Sequence, residues 1–127
     1  MTDSRRPRQV PRINLPGQPT ARTRSTETVR LLDLSLKGVR IEHLNILRPG
    51  GPCTVEFPPA FGSLVLLAQV VWSRVIGTDA SPEGERILRY QSGLTFPRVT
   101  AEQQTILAQA LEKAGASNIQ KNGGLTL

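Results

Sequence analysis

The chain has 127 residues and a formal net charge of +6, with 38% apolar and 4% aromatic residues. This length fits one domain with a single core. The only cysteine, Cys53, excludes a disulfide framework and a thiol-based metal site, so we expect a reducing, cytoplasmic compartment. No apolar run follows the N-terminal arginines as in a secretory signal, and the most apolar stretch, 63–72, is too short to insert across a membrane.

The positive charge is concentrated at the start of the chain. Residues 1–30 hold seven arginines against Asp3 and Glu27, which makes this segment +5. Four prolines before residue 20 discourage a continuous helix or a central strand. We therefore expect a flexible basic arm over residues 1–12, ahead of a nearly neutral domain over residues 13–115. Such an arm suits the phosphates of a nucleotide, a nucleic acid or an anionic membrane; a solvated leader is the alternative.

Short apolar runs follow the arm and predict strands. Five runs occur in order, at residues 29–32, 39–42, 53–57, 64–72 and 88–96. Most alternate apolar with polar residues, as in a strand with one wet face, whereas 64–72 is apolar at nearly every position and predicts a strand covered on both faces over part of its length. Five or more short strands joined by Gly/Pro turns predict a closed or partly closed antiparallel barrel.

One helix is predicted after the strands. Thr100 and Gln103 have the spacing of a capping box. An apolar stripe follows, formed by Ile106, Leu107, Ala110, Leu111 and Ala114. Gly115 stands where a C-terminal cap belongs. We expect the stripe to pack on the barrel and residues 116–127 to form a frayed tail.

The sequence contains little that could support catalysis. The single histidine, His43, has no carboxylate partner in sequence and is interpreted as a surface residue, while Cys53 falls in an apolar alternation and is assigned to the core. The ten acidic residues are scattered and form no metal-ligand pattern. Gly50-Gly51 lacks the Lys-Ser/Thr of a phosphate-binding loop. We therefore expect a binding protein, not an enzyme, with no metal or cofactor.

Two short motifs suit a nucleotide. Arg8 and Arg12 form an R-x-x-x-R pair, and guanidinium groups bind phosphate bidentately or the O6/N7 edge of guanine. Asp33, Ser35 and Gly38 form a D-x-S-x-x-G turn. There the carboxylate suits the N1–H and N2–H₂ groups of guanine, the hydroxyl adds a donor or acceptor, and glycine allows a ligand to approach closely. The alternative is structural, since these residue types also stabilise hairpins through local bonds.

The order of the motifs resembles the PilZ domain family. R-x-x-x-R lies some twenty positions before D-x-S-x-x-G, and a V-V-W-S strand and a G-L-x-F segment before a short helix follow, so the resemblance spans residues 5–114. It implies an all-β fold, a six-stranded antiparallel barrel with one C-terminal α-helix, that senses cyclic di-GMP in bacterial second-messenger signalling. The residues it assigns to the ligand are Arg8, Arg12, Asp33, Ser35 and Gly38. Residues 13–28 depart from the pattern, because they are rich in Pro, Thr and Arg and contain no clear first strand.

Four further residues are candidates for the same site: Arg5, Arg6, Lys37 and Trp72. Arg5 and Arg6 flank the arginine pair, and Lys37 occupies a variable position of the turn, where it either contacts a phosphate or is solvated. Trp72 shares its parity with the apolar residues of the 64–72 run, which predicts a core position. The alternative for Trp72 is a platform on which guanine stacks.

On this hypothesis cyclic di-GMP draws the arginine arm onto the turn, and the ordered surface signals to a partner protein. One alternative is a PilZ-like adaptor that binds proteins and no nucleotide. The other is a basic barrel that binds nucleic acid through Arg5, Arg6, Arg8, Arg12, Arg22 and Arg24. This second alternative is disfavoured, because barrels that bind nucleic acid usually carry surface aromatic side chains and this chain has five aromatic residues in all.

Overall fold

A computed structural model describes residues 12–23 and 27–126 of the chain, with side chains as far as Gly115. Within these residues the chain forms seven strands, a short 3-10 helix (Pro59–Phe61) and one α-helix, α1 (Ala101–Thr126). The strands are β1 (Ile13–Asn14), β2 (Thr20–Thr23), β3 (Thr28–Leu34), β4 (Gly38–His43), β5 (Pro52–Glu56), β6 (Val65–Ala80) and β7 (Arg86–Thr95).

Six of the strands close into a ring. The antiparallel pairings run β3–β2–β5–β6–β7–β4 and return from β4 to β3. The predicted six-stranded antiparallel fold with one C-terminal helix is therefore confirmed. The short strand β1 pairs with the end of β3. Strand β2 pairs with the beginning of β3, next to β1. A turn with positive φ at Gly17 and Gln18 separates β1 from β2, which explains why the sequence shows no continuous first strand.

The core lies inside the ring, where alternate residues of the ring strands are buried, in β6 only as far as Val70. Its largest fully buried side chains include Leu31, Ile41, Phe57 and Leu66. Cys53 is buried, as its alternation predicts. The prediction that the 64–72 run is covered on both faces is wrong: Val65 and Leu67 are about half exposed, because this face of β6 lies on the outside of the ring.

Helix α1 begins at the predicted capping box. The Gln103 N–H donates to Thr100 Oγ1, and the Thr100 N–H donates to Gln103 Oε1, both at 3.0 Å. Leu107 and Ala110 are buried against the core, and the rest of the apolar stripe packs at its edge. Gly115 lies within the helix, which continues to Thr126, so its prediction as a C-terminal cap is wrong. Among the described residues no helix has the length and apolar content needed to cross a membrane.

A β-bulge in β3 changes the face on which Asp33 lies. Leu31 pairs with Ile41 of β4, and the next paired residue is Asp33, opposite Arg40, so that Leu32 is the extra residue. Without the bulge, Asp33 would share the inward face of Leu31, since side chains alternate along a strand. With it, the Asp33 carboxylate lies on the same outer face as the Arg40 guanidinium.

A second bulge, in β6, changes the face on which Trp72 lies. Val70 pairs with Leu94 of β7 and Trp72 pairs with Gly93, which leaves Val71 as the extra residue. The parity that predicts a core position for Trp72 ends at this bulge. Val70 remains buried, whereas Trp72 is 37% exposed on the outer face, so its assignment to the core is wrong.

His43 is buried and not a surface residue as predicted. Its Nδ1 lies 2.7 Å from the carbonyl oxygen of Asn45, its Nε2 lies 2.7 Å from Ser92 Oγ, and its ring stacks on Tyr90. Because a carbonyl only accepts, Nδ1 carries the hydrogen and Nε2 accepts from the Ser92 hydroxyl. The alternation of β4 already indicates this position, since Val39 and Ile41 are also buried.

The burial of His43 predicts a loss of stability in mild acid. Burial lowers the pKa of His43 below its usual value of 6.5, although the Asn45 carbonyl, Glu27 and Glu42 act in the opposite direction. As the pH falls below 6.5, the unfolded chain takes up a proton that the folded chain does not. We expect the free energy of urea unfolding to decrease between about pH 7 and pH 5, and to decrease less in His43→Gln. If the free energy of unfolding decreased equally with pH in both proteins, the decrease could not be assigned to His43.

Candidate functional site

Four neighbouring strands contribute one residue each to a single row on the outer surface of the ring. Asp33 of β3 pairs with Arg40 of β4, Arg40 pairs with Gly93 of β7, and Gly93 pairs with Trp72 of β6. Neighbouring strands lie about 4.8 Å apart, so the row extends about 14 Å. It places a carboxylate, a guanidinium and an indole on one surface.

Asp33 is held by two arginines. Its side chain is 3% exposed; Oδ1 accepts from Arg12 Nη1 at 2.5 Å, and Oδ2 accepts from Arg40 Nε at 2.7 Å. A buried carboxylate is costly unless it is paired, and these two charge-assisted bonds satisfy both of its oxygens. The arginine side chains are 49% and 38% exposed. Asp33 therefore holds two solvent-accessible guanidinium groups beside each other.

Arg40 is a member of the site that sequence reasoning missed. It follows the D-x-S-x-x-G turn by two positions and alternates with the buried residues of β4, so its outward direction could have been predicted. Its Nη1 donates to Gln91 Oε1 at 3.5 Å, and Arg74 Nη2 donates to the same oxygen at 3.2 Å. Because guanidinium groups only donate, the oxygen of Gln91 faces both arginines. The network thus extends from Arg12 to Arg74.

Ser35 stabilises the turn beneath the site. Its Oγ accepts from the N–H groups of Lys37 and Gly38 at 3.1 and 3.2 Å, and its own N–H donates to the carbonyl of Gly38 at 2.9 Å. These local bonds agree with the structural interpretation of the turn. Direct contact between Ser35 and a ligand remains a prediction.

Gly38 is required by the packing of β4 against β7. A Cβ atom at this position would lie 2.2 Å from the carbonyl oxygen of Leu94. The neighbouring residue, Lys37, holds the same two strands together, because its carbonyl accepts from the N–H of Phe96 at 2.8 Å and from Thr95 Oγ1 at 3.1 Å. The close approach that Gly38 permits in this structure is therefore to a neighbouring strand.

An open cleft of about 560 Å³ lies over the row. Its lining includes Arg12, Asp33, Lys37, Arg40 and Trp72. Three of these side chains are cationic and one is a carboxylate, so the cleft is suited to an anionic ligand. Trp72 adds an aromatic surface at the other end of the row from Asp33.

The structure thus gathers five predicted residues in the cleft: Arg12, Asp33, Lys37, Gly38 and Trp72. Ser35 supports the turn from below. The other predicted residues, Arg5, Arg6 and Arg8, lie outside the described residues, and their roles remain predictions.

The sequence matches the PilZ domain model over residues 5–113. The chain belongs to the PilZ domain family. The match covers most of the chain, including the arginine pair, the ring and the first half of helix α1. The family resemblance read from the motifs is therefore confirmed. No curated protein sequence matches the chain.

Solved structures share this fold. The chain is similar to the PilZ domain of YcgR from Escherichia coli with c-di-GMP, with a TM-score of 0.68, 19% identity, and coverage of 92% of this chain and 98% of that one. It is also similar to the MrkH–c-di-GMP complex of K. pneumonia, with a TM-score of 0.67, 16% identity, and coverage of 90% and 55%. The chain thus spans nearly all of the YcgR domain but about half of MrkH. At these identities the likeness establishes the fold alone.

Proposed function

We propose that this PilZ domain binds cyclic di-GMP in the cleft above the row and acts as a receptor, not as an enzyme. The observation that carries the proposal is the row itself, because it presents a different chemical group to each part of such a ligand. A carboxylate suits the N1–H and N2–H₂ edge of guanine, guanidinium groups suit phosphate, and an indole suits the face of a purine. Two of the solved structures that share the fold, those of the YcgR PilZ domain and of the MrkH complex described above, contain c-di-GMP, which supports the choice of ligand.

Binding requires that one oxygen of Asp33 become available to guanine. Arg12 is the more exposed of its two partners, with 49% of its side chain accessible. If Arg12 turns from the carboxylate to a ligand phosphate, one charge-assisted bond replaces another, and the exchange costs little. Arg40 stays on the second oxygen and keeps Asp33 paired, and that oxygen has a further lone pair for the other guanine N–H. The ligand is thus held at its base by Asp33 and at its phosphate by Arg12.

We also propose that the basic arm over residues 1–12 becomes ordered on the ligand, with Arg8 on a phosphate and Arg5 and Arg6 beside it. The changed surface would signal to a partner protein in the cytoplasm. Arg12 leads directly into β1, whose Asn14 pairs with Asp33. β1 also contacts helix α1. An arm that moves on binding is therefore connected to both the site and the helix.

Titration of the native chain with cyclic di-GMP in a calorimeter tests the proposal. We expect micromolar binding, a ligand-dependent rise in the melting temperature, and no effect of GTP or cyclic GMP. Arg12→Ala should weaken binding by at least about 10-fold, since it removes one charge-assisted phosphate contact worth about 1.5–3 kcal/mol.

Arg22→Ala is the matched control, because Arg22 is an exposed arginine of β2 outside the cleft. It should bind as the native chain does. Equal losses in both variants would indicate that net charge decides affinity, as for a nucleic acid. No binding by the native chain at saturating ligand would contradict the proposal and favour the adaptor alternative.

A further inference from the structure

Gly93 occupies the position in the row between Arg40 and Trp72, and the Trp72 indole lies directly against it. A Cβ atom at position 93 would lie 2.3 Å from Trp72 Nε1, 2.6 Å from Cε2 and 3.0 Å from Cζ2. Real Cβ contacts are not this short, so the indole occupies the space that any side chain at this position would need. The ring therefore crosses the backbone of β7, where both Trp72 and Gly93 line the cleft.

We infer that Gly93 is a positioning residue for a purine site in this cleft, and that it acts by seating the indole of Trp72 on β7. The inference rests on the proposed function and adds a residue and a mechanism to it. Because Gly93 has no side chain, the surface of β7 beside Arg40 is open to the indole. The indole packs on this surface and presents an aromatic face to the cleft before any ligand binds, which lowers the ordering cost of stacking.

The backbone itself does not require glycine at this position. Gly93 lies inside β7, its φ is not positive, and glycine weakens a strand interior. The atoms that exclude a Cβ belong to a side chain that is 37% exposed and can move. Gly38 differs, because the atoms around it are backbone. Alanine at position 93 should therefore displace the indole and leave the ring closed.

A second contact holds the indole in this place. The Cζ atom of Arg74 lies 5.3 Å from the centroid of the Trp72 ring, within the range of a cation–π contact. Arg74 is fixed in turn by its bond to Gln91. The indole thus contacts the β7 backbone and a tethered guanidinium, and its orientation is set by the protein.

Gly93→Ala tests the inference through a double-mutant cycle with Trp72→Ala. Stacking of a base on an aromatic side chain is worth about 1–3 kcal/mol, so Gly93→Ala should weaken cyclic di-GMP binding by at least about 5-fold in calorimetry. In the Trp72→Ala background it should weaken binding by less than about 2-fold, because the side chain through which it acts is gone.

Tryptophan fluorescence provides a second measurement, because Trp72 is the only tryptophan. Its emission maximum should shift to longer wavelength in ligand-free Gly93→Ala, and saturating cyclic di-GMP should change its emission in the native chain. Gly77→Ala is the matched control, since a Cβ there meets only the end of the Arg89 side chain, at 3.0 Å. It should alter neither affinity nor emission.

The outcomes separate this inference from the proposed function. No binding by the native chain contradicts the proposed function. If the native chain binds normally, two results overturn only the role of Gly93. One is an affinity that Gly93→Ala leaves unchanged, and the other is a loss of affinity that is equally large in the Trp72→Ala background. If Gly93→Ala does not fold, native binding with no change in Trp72 emission overturns it as well.

Discussion

Replacing Asp33 with alanine should remove detectable cyclic di-GMP binding and leave the ring folded. The carboxylate is the one acidic group among the described residues that line the cleft, and on the proposed mechanism it accepts two hydrogen bonds from guanine. Hydrogen bonds to a charged group contribute about 1.5–3 kcal/mol each, so their loss should lower the affinity at least about 100-fold. Calorimetric titration at high protein concentration measures this loss.

The fold should tolerate this change, because the partners of Asp33 can reach water. The side chains of Arg12 and Arg40 are 49% and 38% exposed, so both guanidinium groups become hydrated when the carboxylate is removed. We expect a loss of about 1 kcal/mol in the free energy of unfolding, or about 4 °C in the melting temperature. Circular dichroism and a thermal melt would show a folded variant that does not bind.

Asp79→Ala is the matched control for Asp33→Ala. Asp79 also accepts from an arginine, since Arg89 Nη1 lies 2.6 Å from its Oδ1, but it does not line the cleft. Removal of this carboxylate changes the net charge equally and should leave affinity unchanged. Retention of affinity within about 3-fold in Asp33→Ala, or an equal loss in Asp79→Ala, would show that guanine recognition does not depend on Asp33.

Gly38→Ala should destabilise the whole domain. The new Cβ would lie 2.2 Å from the carbonyl oxygen of Leu94 and 3.3 Å from its carbonyl carbon, and both atoms belong to the β7 backbone. They cannot move without disturbing the pairing of Gly38 with Thr95, where β4 joins β7. Overpacking of this kind lowers the free energy of unfolding by about 1–3 kcal/mol. Because the neighbouring atoms are rigid backbone, we expect a loss at the upper end of this range, which corresponds to a decrease of about 10 °C in the melting temperature.

Gly77→Ala serves as the control here too, with the same chemical change in a strand of the same sheet. Its new Cβ would lie 3.0 Å from Arg89 Nη2, the end of a flexible side chain that can turn aside. We expect a loss below about 1 kcal/mol in urea unfolding. Similar stabilities for the two variants would mean that the approach of β4 to β7 at Gly38 can relax, and the close approach would then not explain why glycine is present.

Five of the seven strands, the start of the helix and the family could be predicted from the sequence, whereas β1 and β2 could not. Alternation of apolar residues depends on local chain geometry, and so does the bonding of Thr100 to Gln103. Both could therefore be read without knowing which strands pair. The arginine pair and the D-x-S-x-x-G turn, which place Arg12 and Asp33 in the site, could be read from the sequence in the same way.

The face of the sheet on which a side chain lies could not be predicted from the sequence where it depends on how the strands pair. Leu32 and Val71 are bulge residues only because the partner strands fix the register on both sides of them. A shift of one residue reverses every following side chain, so parity along the chain misplaced Trp72 in the core. The contact between Trp72 and Gly93 joins positions 21 residues apart, and only the pairing of β6 with β7 brings them together.

The arginine pair and the D-x-S-x-x-G turn could thus be identified in the sequence as candidate nucleotide-binding motifs, because motif spacing is a property of one chain segment. The row from Asp33 through Arg40 and Gly93 to Trp72 was decided by the tertiary structure alone. It takes one residue from each of four strands, and two bulges turn its ends outward. Long-range strand register determines such a row, and no local pattern in the sequence records it.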